Sequence, residues 1–257
     1  MAAVLLLAFQ AIQREQSEAH RPSLDAPFVA SLEPVVERML ALAEVGPTDH
    51  VVDLGCGDGR IVVAAARDRG ATGLGVDLDP ARIREAEAAA RSAGVDTRVR
   101  FRVQNLFETG IADADVVALY LLPELNLRLR PRLLAELRPG ARIVSHAFDM
   151  GDWPPDRSSD AEGAKVYVWV VPAPVAGRWT LTDPAGRRAE VALDQRFQTL
   201  SGTASAGGQR GPLRNPRLSG DRVRFTANLG SGPQTFEGQW SQGSIALSGG
   251  WRMERAG

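Results

Sequence analysis

The sequence predicts an α/β protein in which a doubly wound, mostly parallel sheet is followed by a small all-β domain. The first part of this prediction rests on short apolar runs that alternate with segments of helical periodicity up to residue 171. The second part rests on the segment after Pro174, where short runs are separated by turn residues and show no helical stripe. We therefore expect an N-terminal leader (1–24), an α/β domain (25–174) and a β domain (175–257).

The first half of the α/β domain begins with an amphipathic helix. Apolar residues three and four positions apart predict this helix over 31–45, with Ser31 as its N-cap and Gly46-Pro47 after its end. The next predicted elements are a strand over 51–54, a helix over 60–69, a strand over 72–76 and a helix over 80–93 that Asp79 caps.

The alternation continues through the second half of this domain. The predicted elements are strands over 99–103, 115–120 and 142–146, and a helix over 124–137. Because crossovers between parallel strands are right-handed and place helices on both faces, a mostly parallel sheet follows. Alternating Val and aromatic residues over 165–171 predict a late antiparallel strand that closes the sheet.

The C-terminal segment is predicted to form a small antiparallel sandwich or barrel of about eighty residues. The runs that predict its strands are 178–181, 189–193, 222–227, 234–240 and 244–247. Arginines outnumber acids in this segment, but they are dispersed and lack interleaved aromatic residues. This favours a solvated surface over a nucleic-acid platform.

Composition limits the kinds of site that the chain can carry. The 257 residues have a formal net charge of −1, which gives no overall attraction to nucleic acid, and no nucleic-acid partner is expected. A single cysteine, Cys56, excludes an intrachain disulfide and a cysteine-based zinc cluster, and no metal site is expected. Lys165 is the only lysine, which we interpret as a compositional bias towards arginine.

The N-terminal leader bears on localisation. Residues 2–11 are apolar, but they are too few to span a bilayer and lack the basic region of a signal peptide. We therefore expect a cytoplasmic protein. The alternative is a missing or shortened N-terminal segment that would export the protein or associate it with a membrane.

The strongest chemical signal is a glycine-rich turn after the first strand, where residues 51–59 read Val-Val-Asp-Leu-Gly-Cys-Gly-Asp-Gly. A strand that ends in Asp53 and turns through glycines lets a nucleotide-like ligand approach the backbone and the following helix N-terminus. A dinucleotide fingerprint requires a glycine where Arg60 stands, so the match to NAD or FAD binding is poor. Cys56 is interpreted as a small filler within the turn.

Two further strand ends carry polar side chains. Asp77 follows the second strand, where a carboxylate can accept hydrogen bonds from both ribose hydroxyls. Asn105 follows the third strand and can contact an adenine edge, with Leu106 and Phe107 as an apolar ledge. The alternatives are a helix-capping or turn aspartate and a turn-forming asparagine.

The motif Asp-x-Gly-x-Gly-x-Gly resembles motif I of the class I methyltransferases that bind S-adenosylmethionine. The chain resembles one family in particular, the ATP synthase c-subunit lysine methyltransferases and their bacterial relatives. The matching stretches are Pro27-Phe28-Val29 with the helix to Leu42, Asp53 to Arg60, Tyr120-Leu-Leu-Pro123, Leu137 to Gly140, Val144 to Phe148 and Trp153-Pro-Pro-Asp156.

This resemblance implies a Rossmann-like sheet of seven strands and transfer of a methyl group from S-adenosyl-L-methionine to an amine, perhaps a lysine side chain of a protein. The cofactor-binding residues that it implies are Asp53, Gly55, Cys56, Gly57, Gly59, Asp77, Leu78, Asn105, Leu106 and Tyr120.

The acceptor side is read from the fourth and fifth strands. Tyr120, Glu124 and His146 are the candidates for orienting or deprotonating the amine. Phe28, Pro123 and Trp153 are the candidates for the walls of the substrate channel. The alternatives are a core aromatic for Tyr120, a first-turn helix acid for Glu124, a satisfied sheet-edge histidine for His146, and core packing for Phe28 and Trp153.

Two other functions remain open at the level of sequence. One is a methyltransferase on the same fold with a small-molecule or nucleic-acid acceptor, although the absence of an Asn-Pro-Pro motif after the fourth strand counts against a base methylase. The other is a module that binds S-adenosylmethionine without turnover.

Overall fold

The computed structural model describes residues 29–256. Within them, two separate sheets cover 50–170 and 177–255. The leader predicted for 1–24 and the channel residue Phe28 lie outside the described residues.

The first sheet has seven strands in the order β3-β2-β1-β4-β5-β7-β6. The strands are β1 (His50–Leu54), β2 (Thr72–Asp77), β3 (Val99–Val103), β4 (Val116–Leu119), β5 (Arg142–His146), β6 (Arg157–Ala161) and β7 (Ala164–Val170). Strands β1 to β5 are parallel, whereas β7 runs antiparallel to β5 and to β6. The predicted mostly parallel sheet with a late antiparallel strand is confirmed.

Helices cover both faces of this sheet. They are α1 (Glu33–Leu42), α2 (Arg60–Arg69), α3 (Pro80–Ser92) and α4 (Pro123–Glu136). Helix α1 buries Met39 and Leu40 in a cluster with Val144 of β5, while α4 buries Leu129 against Ile143 on the opposite face. Because adjacent residues of a strand point to opposite faces, the apolar run of β5 serves two cores at once.

The second sheet has nine strands, all paired antiparallel, in the order β11-β10-β9-β8-β16-β15-β14-β13-β12. They are β8 (Gly177–Thr182), β9 (Arg188–Arg196), β10 (Thr199–Ala206), β11 (Gln209–Pro212), β12 (Arg214–Ser219), β13 (Arg222–Asn228), β14 (Pro233–Ser241), β15 (Ser244–Leu247) and β16 (Arg252–Arg255). The two ends of the sheet approach each other, and the amide of Leu213 donates to the carbonyl of Gly202 at 2.9 Å. The arrangement is a nearly closed barrel, with Trp179, Phe225 and Phe236 buried inside it.

The two sheets meet where the turn between β9 and β10 packs on the loop that follows β5. The ring of Phe197 stacks on Trp153 with centroids 5.5 Å apart. The indole N–H of Trp153 donates to Gln198 at 2.8 Å, and Asp152 accepts from both Arg130 and Arg196. These contacts fasten the barrel to the strand end that carries His146.

Helix α1 differs from its prediction at both ends. The predicted helix over 31–45 is shortened to Glu33–Leu42, and its N-cap is Leu32 with no side-chain hydrogen bond. Ser31 is buried and contacts His146 instead. Among the helices within residues 29–256, none is long and apolar enough to cross a membrane.

Candidate functional site

A cleft opens where the carboxyl ends of β1, β2 and β4 meet. Parallel strands end at one edge of their sheet, so the side chains that follow them converge there. The predicted residues that line this cleft are Asp53, Gly55, Cys56, Asp77, Leu78, Leu106 and Tyr120. Seven of the ten predicted cofactor-binding residues are thus brought together.

The glycine turn folds back over the end of β2. The amides of Gly55 and Cys56 both donate to the carbonyl of Val76 at 2.9 Å. The amide of Gly57 donates to the Asp77 carboxylate at 2.9 Å. The turn is therefore held by the strand whose own end lines the cleft.

Gly59 has a packing role that the sequence did not reveal. It is the N-cap of α2 with φ of 77°, and a Cβ built there would lie 2.7 Å from both Ala86 and the ring of Phe101. Gly57 and Gly59 are not among the residues that line the cleft. Gly59 is required by the backbone conformation and by close packing, not by a visible contact with the cleft.

Asp53 is the most perturbed carboxyl group of the cleft. It is 1% exposed, and its Oδ2 has no hydrogen-bond partner among residues 29–256. Burial and the negative charges of Asp77 and Asp58 raise the pKa of Asp53 to about 8. A buried carboxyl group with a free oxygen is suited to a cationic ligand, because such a ligand would supply both a donor and a compensating charge.

The thiol of Cys56 is not prepared for nucleophilic attack. The side chain is buried, and burial together with the charges of Asp53 and Asp77 raises its pKa far above the usual range. Since the thiolate is the reactive species, the thiol stays protonated. This agrees with a small filler inside the turn.

The Asp77 carboxylate has two backbone contacts and still faces the cleft. Besides Gly57, it accepts from the amide of Asp79 at 2.9 Å, while Asp79 itself caps α3 through the amide of Ala81. The turn role and the ligand role of Asp77 are compatible, because a carboxylate has about four acceptor positions.

The prediction for Asn105 is not supported by its position. Its Oδ1 accepts from the amide of Phe107 at 3.0 Å and so caps a short 3-10 helix, Leu106–Glu108. The side chain is used in the turn, as in the alternative interpretation, and Asn105 does not line the cleft. Gln104, its neighbour, lines the cleft instead. The expected ledge is divided, since Leu106 lines the cleft and Phe107 packs under Arg128.

Tyr120 and His146 lie side by side at the ends of β4 and β5. Their rings stack with centroids 3.8 Å apart and an interplanar angle of 29°. Nδ1 of His146 lies 2.8 Å from the Ser31 hydroxyl. His146 is 6% exposed and does not line the cleft, and burial lowers its pKa, so the ring is neutral at physiological pH. Only Tyr120 of this pair faces the cleft.

Three predicted acceptor-side residues do not reach the cleft. Glu124 and Pro123 are exposed in the first turn of α4, where an acid is favoured by the helix dipole. Trp153 is fully buried, and its indole packs against Trp169 and Phe197. The channel prediction for Trp153 is corrected to a core residue, because its ring has no surface that a substrate could contact.

An ion pair that the sequence analysis missed closes one side of the cleft. Arg60 binds the Asp58 carboxylate with two guanidinium nitrogens, at 2.9 and 2.5 Å, and donates to the carbonyl of Ser31 at 2.6 Å. Although burial opposes ionisation, these contacts lower the pKa of Asp58. The signal was available, since Arg60 stands where a dinucleotide fingerprint has glycine, but it was used only to exclude that class.

Comparison with known proteins gives one family. The model of the ANTKMT methyltransferase domain matches residues 53–157. A protein-lysine N-methyltransferase of Saccharolobus islandicus is 42% identical over 150 residues, which are 56% of this chain and 93% of that protein.

Two mammalian proteins match a smaller share of their length. The adenine nucleotide translocase lysine N-methyltransferase of Mus musculus is 35% identical over 51% of this chain and 57% of its own length. The Homo sapiens lysine N-methyltransferase that is named for the ATP synthase c-subunit is 30% identical over 51% of this chain and 55% of its own length. The chain therefore spans little more than half the length of these two relatives.

A solved structure supports the same relationship. The crystal structure of an RNA methyltransferase from Salinibacter ruber in complex with S-adenosyl-L-homocysteine has 52% sequence identity and a TM-score of 0.56. The match covers 57% of this chain and 96% of that one.

Proposed function

This chain belongs to the family of S-adenosylmethionine-dependent methyltransferases that includes the archaeal protein-lysine N-methyltransferase, and we propose that it methylates the side-chain amine of a protein lysine. The observation that carries the acceptor is the 42% identity to that archaeal enzyme across 93% of its length. The enzyme class and the cofactor are those of the family. The acceptor is the proposed part.

The residues of the cleft fit S-adenosylmethionine. The cofactor carries an ammonium group, a ribose and an adenine, and it supplies a methyl group on a positively charged sulfur. Asp53 offers an unpaired buried oxygen for the ammonium group, and Asp77 offers a carboxylate for the ribose hydroxyls. Leu78, Gln104 and Leu106 would enclose the adenine. The negative charge of this wall suits a cationic cofactor.

The chain has to contribute mainly position, because a sulfonium is already an activated leaving group. Tyr120 lines the cleft, and its hydroxyl forms no hydrogen bond with any residue from 29 to 256. The hydroxyl can therefore accept from or donate to an incoming amine and hold its lone pair towards the methyl group. Holding two reactants in line in this way supplies a large part of a bimolecular rate enhancement.

A second candidate acceptor is RNA. It is favoured by the Salinibacter ruber protein, which is 52% identical and is described as an RNA methyltransferase. The dispersed arginines of the second sheet do not decide between RNA and protein.

Transfer of a labelled methyl group to a fractionated cell extract tests the proposal. The extract is prepared from cells that lack this protein and is treated with ribonuclease or with protease before labelling. The proposal predicts label in a fraction that resists ribonuclease and is lost with protease, and recovery of the label as methyllysine after acid hydrolysis. Label that is lost with ribonuclease would establish the RNA candidate. Because Lys165 is the only lysine of the chain, a Lys165→Arg variant removes self-methylation of lysine as a background.

The location of the protein belongs to the proposal as well. We propose cytoplasmic action on a protein acceptor, and membrane association through residues before 25 is the alternative. Fractionation of cells that carry the tagged full chain distinguishes the two, since the cytoplasmic protein stays in the supernatant after membranes are pelleted.

A further inference from the structure

The wall of the cleft at Tyr120 is connected to the glycine turn by a continuous set of side-chain contacts. Arg60 holds the Asp58 carboxylate of the turn and the carbonyl of Ser31. The hydroxyl of Ser31 contacts Nδ1 of His146 at 2.8 Å, and the ring of His146 stacks on Tyr120. Ser31 is 3% exposed and His146 6%, so both polar groups depend on this contact for a partner.

The backbone after His146 is strained. Ala147 has φ of 67°, and the amide of Phe148 donates to the carbonyl of His146 at 2.9 Å, which makes a γ-turn of the rare positive-φ type. A non-glycine residue in this conformation costs about 1 to 3 kcal/mol and persists only where its surroundings impose it. Strain next to His146 indicates that the position of this ring is fixed from both sides, by Ser31 and by the end of β5.

We infer that Ser31 and His146 are positioning residues that hold the ring of Tyr120 at the cleft wall, and that Arg60 couples them to the glycine turn. His146 acts through Tyr120, because His146 does not line the cleft and Tyr120 does. This replaces a direct role of His146 as the base. The inference deepens the proposed function, since it rests on the role of Tyr120 there, but it does not depend on whether the acceptor is protein or RNA.

The first test measures the hydrogen bond without measuring activity. In nitrogen-15 NMR spectra, the ring nitrogens of the three histidines report their tautomers, and His20 and His50 serve as internal references. We expect one tautomer for His146 in the full-length protein and a mixture in Ser31→Ala, because the contact at Nδ1 fixes the proton. Ser92→Ala, an exposed serine, is the matched control and leaves the spectrum unchanged. An unchanged His146 signal in Ser31→Ala would overturn the inference.

The second test is kinetic and uses the labelled methyl transfer. Ser31→Ala is expected to lower kcat by about 10- to 100-fold while the cofactor affinity changes less than about twofold, because only the acceptor wall is displaced. The double variant Ser31→Ala/Tyr120→Phe is expected to be no slower than Tyr120→Phe, since both changes remove the same positioned hydroxyl. Additive losses would contradict the connection.

The third test separates a positioning role from a base. His146→Phe keeps a flat ring against Tyr120, whereas His146→Ala removes it. A positioning role predicts that His146→Phe retains more kcat than His146→Ala and keeps the acid limb of the pH–rate profile. A base predicts equal losses and disappearance of that limb. If no acceptor is methylated at all, the proposed function fails, while the NMR result still decides the contact between Ser31 and His146.

Discussion

At the residue scale, the cleft is organised around Asp53, a carboxyl group that is buried without a partner for one of its oxygens. In the free protein a proton neutralises it, because burial and neighbouring acids raise its pKa to about 8. A bound ammonium group reverses this preference, because an adjacent positive charge stabilises the carboxylate. Cofactor binding is therefore coupled to release of a proton.

This coupling predicts a pH dependence of cofactor affinity. Below pH 8 the free protein holds a proton on Asp53 that the complex does not, so affinity rises as the pH increases towards 8. From pH 6 to 7.5 we expect an increase of about three- to tenfold. Asp53→Asn should bind the cofactor weakly and without this dependence, while Asp96→Asn, an exposed acid, keeps it. Calorimetry in buffers of different ionisation enthalpy measures both the affinity and the proton, and proton uptake on binding would be incompatible with this account.

The same group limits stability at high pH. Its pKa is raised on folding, so the native state binds the extra proton, and stability falls as the pH rises from about 4 through 8. Asp53→Asn removes this effect. Denaturant unfolding should show that this variant gains stability over the wild type between pH 6 and pH 9, and a constant difference across this range would refute the protonation argument.

Asp77 combines a ligand contact with a hold on the turn. Asp77→Ala leaves ribose hydroxyls without a charged acceptor and frees the amide of Gly57, so cofactor binding should weaken by about 1 to 3 kcal/mol. Calorimetric titration measures this loss, with Asp113→Ala as an exposed control. Wild-type affinity in Asp77→Ala would show that this strand end does not bind the ribose.

At the element scale, the crossover from β1 to α2 depends on how closely α2 and α3 approach the sheet. Gly59 lies between Ala86 of α3 and Phe101 of β3, and no side chain fits there. The turn is thus a packing joint as well as a ligand site.

A comparison of two glycines separates these roles. Gly59→Ala should destabilise the protein by about 2 to 5 kcal/mol, because it adds a steric clash to an unfavourable positive φ. Gly94→Ala has a similar φ of 69° with nothing within 4 Å, so it should cost only about 1 to 2 kcal/mol. Chemical denaturation measures both, and equal losses would mean that packing plays no part.

The elements also show what the sequence could predict. Strands β1, β3 and β5 were predicted to within a residue, because their apolar runs are bounded by glycine, proline or charged residues. Strand β6 was missed, since an edge strand reading Arg-Ser-Ser-Asp-Ala carries no apolar alternation. Strand β10 was missed because its small residues, such as Gly202 and Ala204, have low β-propensity and pair through tertiary context.

The candidate site divides in the same way. Asp53, Asp77 and Tyr120 follow strand ends, and topology alone brings such residues together. The contact of Ser31 with His146 joins residues 115 positions apart, and no local pattern announces it. Trp153 was misplaced because its partners, Phe197 and Gln198, belong to the second sheet, which the sequence did not connect to this loop.

At the scale of the whole molecule, the second sheet supports the first. The family match ends at residue 157, before β8 begins at Gly177, yet the turn between β9 and β10 covers Trp153. The barrel thereby stabilises the loop that follows His146. Its role in this contact is structural, and its outer surface is not needed for the chemistry of the cleft.

This contact predicts that a single side chain of the barrel affects overall stability. Gln198→Ala leaves the buried indole N–H of Trp153 without an acceptor, which should cost about 1 to 3 kcal/mol. Gln209→Ala, an exposed glutamine of the same barrel, should change stability by less than about 0.5 kcal/mol. Denaturant unfolding of both variants checks this, and equal stabilities would mean that the two sheets do not support each other.

The central claim is transfer of a methyl group to a protein lysine from a cofactor held at Asp53. It is tested most directly by mass spectrometry of the proteins from cells that carry the wild-type chain, no chain, or the Asp53→Asn variant. We predict a methylated lysine on a defined protein in the first cells and its loss in the other two. Identical lysine methylation in all three, or a difference confined to RNA, would contradict the claim.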